Sequence, residues 1–185
     1  MTSFFSLTLY NIIPHTPLVD AIILWLAESL DTLLIILLVI VLVFESYLSI
    51  KKAHIIPWRE GKYLGMVGIV GCISVGIALF LQYILHVPRP YILVPGSSLF
   101  TLTYAFNSFP SAHTTLFIAL GMLLMSYRTW LGWSVISLAL VIGFARSAAG
   151  VHYIVDIIGG GLLGVIIVLG MRWVRSWFLK IETVL

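Results

Sequence analysis

Five long apolar runs leave this chain few folds to choose from. They lie near residues 30–50, 63–86, 112–127, 130–148 and 154–178, and a helix needs roughly 20 apolar residues, give or take a few, to cross a bilayer. Hydrocarbon offers backbone amides no water, so a run of this kind satisfies itself by becoming a helix. The sequence is 61% hydrophobic and 9% charged, and no polar stretch is large enough for a separate soluble domain. The expected fold is all-α: residues 1–185 form one integral membrane domain, a polytopic bundle of five to six transmembrane helices. Residues 17–29, which carry Asp20 and Glu28 among apolar side chains, are short for a span and are expected to form an interfacial helix. Drawing the N-terminal residues into a span gives the six-helix version.

Few other features divide the chain. It has one cysteine, Cys72, within an apolar run, so no intrachain disulfide is expected. The N-terminus lacks the basic segment and small-residue cleavage site of a secretory signal peptide, so none is expected to be removed. A net charge of +3 with pI near 9.1 could suggest nucleic acid as a partner. In so apolar a chain it is better read as basic loops facing the cytoplasm. Lys51, Lys52, Arg59 and Lys62 fall in the first connection, Arg128 in the tight turn after the third run, and Arg172, Arg175 and Lys180 at the C-terminal end. With alternating spans these eight share one face. Arg89 and Arg146 fall on the other, which the positive-inside rule makes extracytoplasmic.

That second face collects residues that are expensive in a membrane protein. Arg89-Pro90 ends the second run, Pro110-Ser111-Ala112-His113 opens the third, Arg146 ends the fourth, and His152 with Asp156 opens the fifth. Their types suit work on a phosphate. Two arginines offer planar forks for phosphate oxygens, and the amides of Ser111 and Ala112 near a helix start add uncharged donors. His152 and Asp156 are four apart and neighbours on a helix. Asp156 can therefore hold one ring nitrogen while the other attacks phosphorus, which favours His152 as nucleophile and His113 as general acid. Residue types alone would also permit the two histidines to exchange roles. Ion pairing of helix ends leaves the histidine placement unexplained, and two arginines argue for an anion rather than a metal ion. Neither a metal nor any other cofactor is implied.

These three pieces in order resemble the type-2 phosphatidic acid phosphatase and haloperoxidase superfamily. Its pattern is a lysine, six residues and Arg-Pro; then Pro-Ser-Gly-His; then Ser-Arg, five residues, His, three residues and Asp. The resemblance covers residues 82–156 by motif. It implies that Arg89 and Arg146 bind phosphate, that His113 is the general acid, and that His152 is the nucleophile with Asp156 as its partner. Gln82 stands at the lysine position, Ala112 at the glycine and Ala145 at the serine. Gln82 can still hydrogen-bond phosphate but lacks the full charge, and Ala112 keeps its amide.

The implied activity is metal-independent hydrolysis of a membrane lipid phosphate or diphosphate through a phosphohistidine. Undecaprenyl diphosphate and phosphatidylglycerophosphate suit an outward-facing site, while phosphatidic acid and lipid A 1-phosphate stay open. A phosphotransferase, or a non-catalytic lipid-phosphate binder or transporter, is the alternative; a soluble-type haloperoxidase is disfavoured by the spans. The expected location is a bacterial cytoplasmic (inner) membrane, the expected partners a lipid substrate and the bilayer. The segment from Tyr91 to Phe109, with Phe100, Tyr104 and Phe106, is expected to line a lateral lipid entrance. His15, His54 and His86 are read as packing or interface residues, Glu45 and Glu60 as local charge partners, and Gly160 with Gly164 as a helix-packing stripe. Oligomeric state is left open.

Overall fold

The computed structural model describes residues 8–53, 58–103 and 106–182, with the backbone alone at 42, 45–46, 48–53, 58–64 and 175–182. His54 and Tyr104 lie outside the described residues, as do the side chains of Glu45, Lys51, Lys52, Arg59, Glu60, Lys62, Arg175 and Lys180. Among the described residues every regular element is helical. The order is α1 (Pro17–Leu24), a π-helical turn (Trp25–Ser29), α2 (Leu30–Ala53), α3 (Trp58–Leu85), α4 (Pro90–Leu93), α5 (Ala112–Met125), α6 (Thr129–Ala148) and α7 (Ile154–Glu182).

Two boundaries differ from expectation. Residues 17–29 do not form a helix separate from the first span: α1, the π-helical turn and α2 run on without a break, and the apolar window is Pro17–Val41. Thr16 caps the start by accepting from the Val19 amide, with Pro17 at the first helical position, where a missing N–H costs nothing. The second difference is α5, which has 14 residues and is about 21 Å long at 1.5 Å per residue, short of a hydrocarbon core. Among the described residues four helical segments are long and apolar enough to cross a membrane, Pro17–Val41, Gly65–Leu93, Thr129–Ala148 and Ile154–Val174, with α5 as a shorter apolar helix.

Packing explains why α5 can be short. It is the central helix, wrapped by α3, α6 and α7, and Phe117, Ala119 and Leu124 on it are fully buried. Gly160 and Gly164 on α7 give it room: a Cβ at Gly160 would meet the Ser111 carbonyl at 2.6 Å, and one at Gly164 the Thr115 carbonyl at 2.7 Å. The small-residue stripe thus serves internal packing. The outer helices expose apolar rows instead, such as Ile69, Ile73, Ile77, Phe80 and Ile84 on α3, the stripe a lipid-facing helix presents. A second, smaller core joins Ile23 and Ala27 to Ala145, Ala148 and Ala149, with Leu99 and Phe100 against it. It fastens the first helix to the end of α6.

Candidate active site

Arg89, His113, Arg146, His152 and Asp156 lie at one end of the bundle, each at a helix terminus. Pro90 does not simply end the preceding span: Arg89 caps α4 and Pro90 is its first residue. Ser111 is the N-cap of α5, Arg146 stands in the last turn of α6, and Asp156 stands in the first turn of α7. At the opposite end Arg172 donates to the Met122 carbonyl at 3.0 Å and the Ser126 hydroxyl at 2.8 Å.

The first of two networks is built on Asp156. One carboxylate oxygen, Oδ2, accepts from the Tyr153 amide at 2.8 Å, closing the first turn of α7, and from the Ser108 hydroxyl. The same oxygen lies 3.2 Å from His152 Nδ1. Asp156 and His152 are both almost fully buried. The opposite ring nitrogen, Nε2, lies 3.3 Å from Arg89 Nη1. A guanidinium only donates and a carboxylate only accepts, so these neighbours specify one tautomer: Nδ1 carries the proton and Nε2 keeps its lone pair. Burial pushes the His152 pKa down to about 4, against the Asp156 hydrogen bond and with help from the charges of Arg89 and Arg146. The imidazole is therefore neutral at physiological pH, the form in which a histidine can attack. Arg89 also donates from Nη1 to the Val151 carbonyl and from Nη2 to the Asn107 carbonyl, both at 2.9 Å.

The second network joins Arg146 to the first helix. Arg146 Nη1 donates to the Ala27 carbonyl at 2.9 Å, within the π-helical turn, and lies 3.9 Å from Asp31 Oδ2. The same Asp31 oxygen is 3.1 Å from His113 Nε2. Buried Arg146 Nε has no acceptor among the described residues. Asp31 was missed in the sequence, although a carboxylate inside an apolar run is itself a signal of function. Ser108 was missed too; a lone serine in a polar loop carries no signal.

Two expected phosphate donors are otherwise engaged. Gln82, buried on α3, donates its amide nitrogen to the Pro110 carbonyl at 2.7 Å, so it braces the Pro110–His113 segment from behind. The Ser111 amide donates to the Asp156 carbonyl at 3.0 Å, and its hydroxyl accepts from Thr114. Both corrections have one cause: buried polar groups find protein partners first. Replacing Gln82 with alanine should strand the Pro110 carbonyl at a cost of about 1–3 kcal/mol. Thermal unfolding in detergent should show a fall in Tm of several degrees, and an unchanged Tm would refute the brace.

Elsewhere, His15 has a carboxylate partner that the sequence did not suggest. Its Nδ1 lies 2.7 Å from Asp20 Oδ1, and this hydrogen bond raises its pKa. Of the aromatic residues between Tyr91 and Phe109, Tyr91 is buried and Phe106 is exposed. Phe109 packs against Gly159 and Phe100 against the second core. The exposed edge there is Leu93, Val94 and Phe106. No group of three or more His, Cys, Asp or Glu suited to a metal ion occurs among the described residues.

Comparison with known proteins extends this picture. The bacitracin transport permease protein BcrC of Bacillus licheniformis is 43% identical over 67 residues, 36% of this chain and 33% of that protein, so the match spans one third of its length. The undecaprenyl-diphosphatase BcrC of Bacillus subtilis (strain 168) is 28% identical over 153 residues, 83% of this chain and 73% of that protein. Among solved structures, Aquifex aeolicus LpxE superposes with a TM-score of 0.66 at 24% identity, over 87% of this chain and 88% of that one. A transmembrane PAP2-type phosphatidylglycerolphosphate phosphatase from Bacillus subtilis gives 0.50 at 17% identity, over 88% and 79%. Both structures share the fold. The profile of the PAP2 superfamily matches residues 60–180, from α3 through most of α7 and across every one of the three motifs, and this integral membrane protein belongs to that superfamily.

Proposed function

We propose that the protein is a lipid phosphate phosphatase that hydrolyses a membrane lipid phosphate or diphosphate, without a metal, through a phosphohistidine on His152. The observation that carries this reading is the buried His152 ring, with Nδ1 3.2 Å from the Asp156 carboxylate and Nε2 3.3 Å from Arg89. In the first step Nε2 attacks phosphorus, the bond from phosphorus to the leaving lipid oxygen breaks, and His113 gives that oxygen a proton. In the second step water attacks phosphorus, the P–N bond breaks, and His113 takes the proton from water. Arg89 and Arg146 neutralise the equatorial oxygens, and a phosphate oxygen would give buried Arg146 Nε the acceptor it lacks among the described residues. The opening amides of α5, at Ala112 and His113, can add uncharged donors.

Undecaprenyl diphosphate is the favoured substrate, supported by the similarity to the Bacillus subtilis undecaprenyl-diphosphatase over most of this chain; phosphatidylglycerophosphate is next. The site is read as extracytoplasmic in a bacterial inner membrane. Arg128 and Arg172, at the end of the bundle away from His113, support that orientation.

The test is phosphate release by purified protein in detergent from a panel of lipid phosphates with EDTA present. Release is expected to persist in EDTA and to be inhibited by vanadate, which adopts trigonal-bipyramidal geometry. Loss in EDTA restored by a divalent cation would overturn the metal-free mechanism. Phosphate appearing on an added alcohol instead of in solution would make the protein a transferase.

A further inference from the structure

Asp31 sits where the π-helical turn passes into α2, outside the segment matched by the superfamily profile. Its carboxylate is fixed and buried. Oδ1 accepts from the Thr32 amide at 2.6 Å and the Thr32 hydroxyl at 3.3 Å, which leaves Oδ2 for His113 Nε2 at 3.1 Å and Arg146 at 3.9 Å. The site therefore holds two His–Asp pairs of opposite sense. Asp156 holds Nδ1 of His152 and leaves Nε2, whereas Asp31 holds Nε2 of His113 and leaves Nδ1.

We propose that Asp31 is the positioning residue of the general acid, holding His113 by Nε2–H so that Nδ1–H is the proton given to the leaving lipid oxygen. This rests on the phosphatase reading above. In a doubly protonated ring both nitrogens donate. Once Nδ1–H has left, neutral His113 keeps its Nε2–H on Asp31, and the bare Nδ1 faces the water of the second step. The other charged groups near this end are Glu28 in the π-helical turn, Arg146 on α6, Arg89, and Asp156 on α7. Glu28 is exposed, and the Asp31 carboxylate oxygen lies against both His113 and Arg146. A carboxylate beside a phosphate site opposes binding, so selection for affinity alone would remove it.

The discriminating variable is the leaving group. p-Nitrophenolate leaves without a proton, whereas a lipid alkoxide or lipid phosphate needs one. In Asp31→Asn, kcat on the lipid substrate should fall about 10- to 100-fold, a part of the roughly 10²- to 10⁴-fold worth of general acid catalysis because His113 itself remains, without a rise in KM. The activity ratio should shift at least about tenfold toward p-nitrophenyl phosphate. Asp31→Glu, which keeps the charge, should recover most of the loss. Nitrogen-15 histidine NMR in detergent should show neutral His113 as the Nε2–H tautomer in wild-type protein and lose that preference in Asp31→Asn. Equal losses on both esters, or an unchanged His113 tautomer, would overturn the proposal. The tautomer reads His113 without turnover, so a failure of the phosphatase reading shows separately, as wild-type protein silent on both esters.

Discussion

His152→Ala is expected to lower phosphate release by about 10⁴-fold or more, the scale seen when a nucleophile is removed from a working catalytic unit. The substitution takes away the attacking Nε2 and leaves every other charge in place. Asp156 does not become an orphan, because the Tyr153 amide and the Ser108 hydroxyl still donate to it. The fold should therefore survive with a modest fall in Tm from the cavity, readable by thermal unfolding in detergent. The decisive check is rapid quench at alkaline pH with a ³²P-labelled substrate. Wild-type protein should carry acid-labile label and the variant none. Label or turnover persisting in the variant would assign the attack to another group, with His113 first in line.

Arg89→Lys is expected to fail nearly as badly although it keeps the charge, with kcat/KM falling about 10²- to 10³-fold, as for loss of a preorganised donor to a developing anion. Arg89 uses one nitrogen for the Val151 carbonyl and the other for the Asn107 carbonyl, and so ties the strand of chain before His152 to the loop before Ser108. A single ammonium on a flexible stem cannot bridge both while standing beside Nε2. One buried carbonyl would be stranded, at about 1–3 kcal/mol. The variant should show both lost activity and a lower Tm, whereas near-normal turnover would mean that charge alone matters at this position.

The helices and the motif positions could be read from the sequence because both are local signals. Apolar length marks a span, and the spacing of Arg146, His152 and Asp156 puts them around one turn and one helix start. What could not be read depends on partners far along the chain. Asp31 meets Arg146 across 115 positions of sequence, and no local pattern announces such a meeting. Gln82 aligns with a phosphate-binding position yet bonds Pro110, because depth and direction, not alignment, decide which acceptor it reaches. The continuity of α1 with α2 was hidden for another reason. Asp20 and Glu28 look like the polar edge of an interfacial helix, and apolar counting has no register for a π-helical turn.

The tie between Arg146 and the first helix bears on how the protein is made. An arginine inside a span costs roughly 2.5–3.5 kcal/mol on insertion scales, and here it is buried at the end of α6. Its acceptors, the Ala27 carbonyl and Asp31, belong to a segment made before α6. By the time α6 leaves the ribosome, a counter-ion is already waiting in the bilayer. Completing the candidate site and satisfying the buried charge of α6 thus rest on the same contacts. A chain whose first helix is misplaced is left with a stranded buried cation at the end of α6.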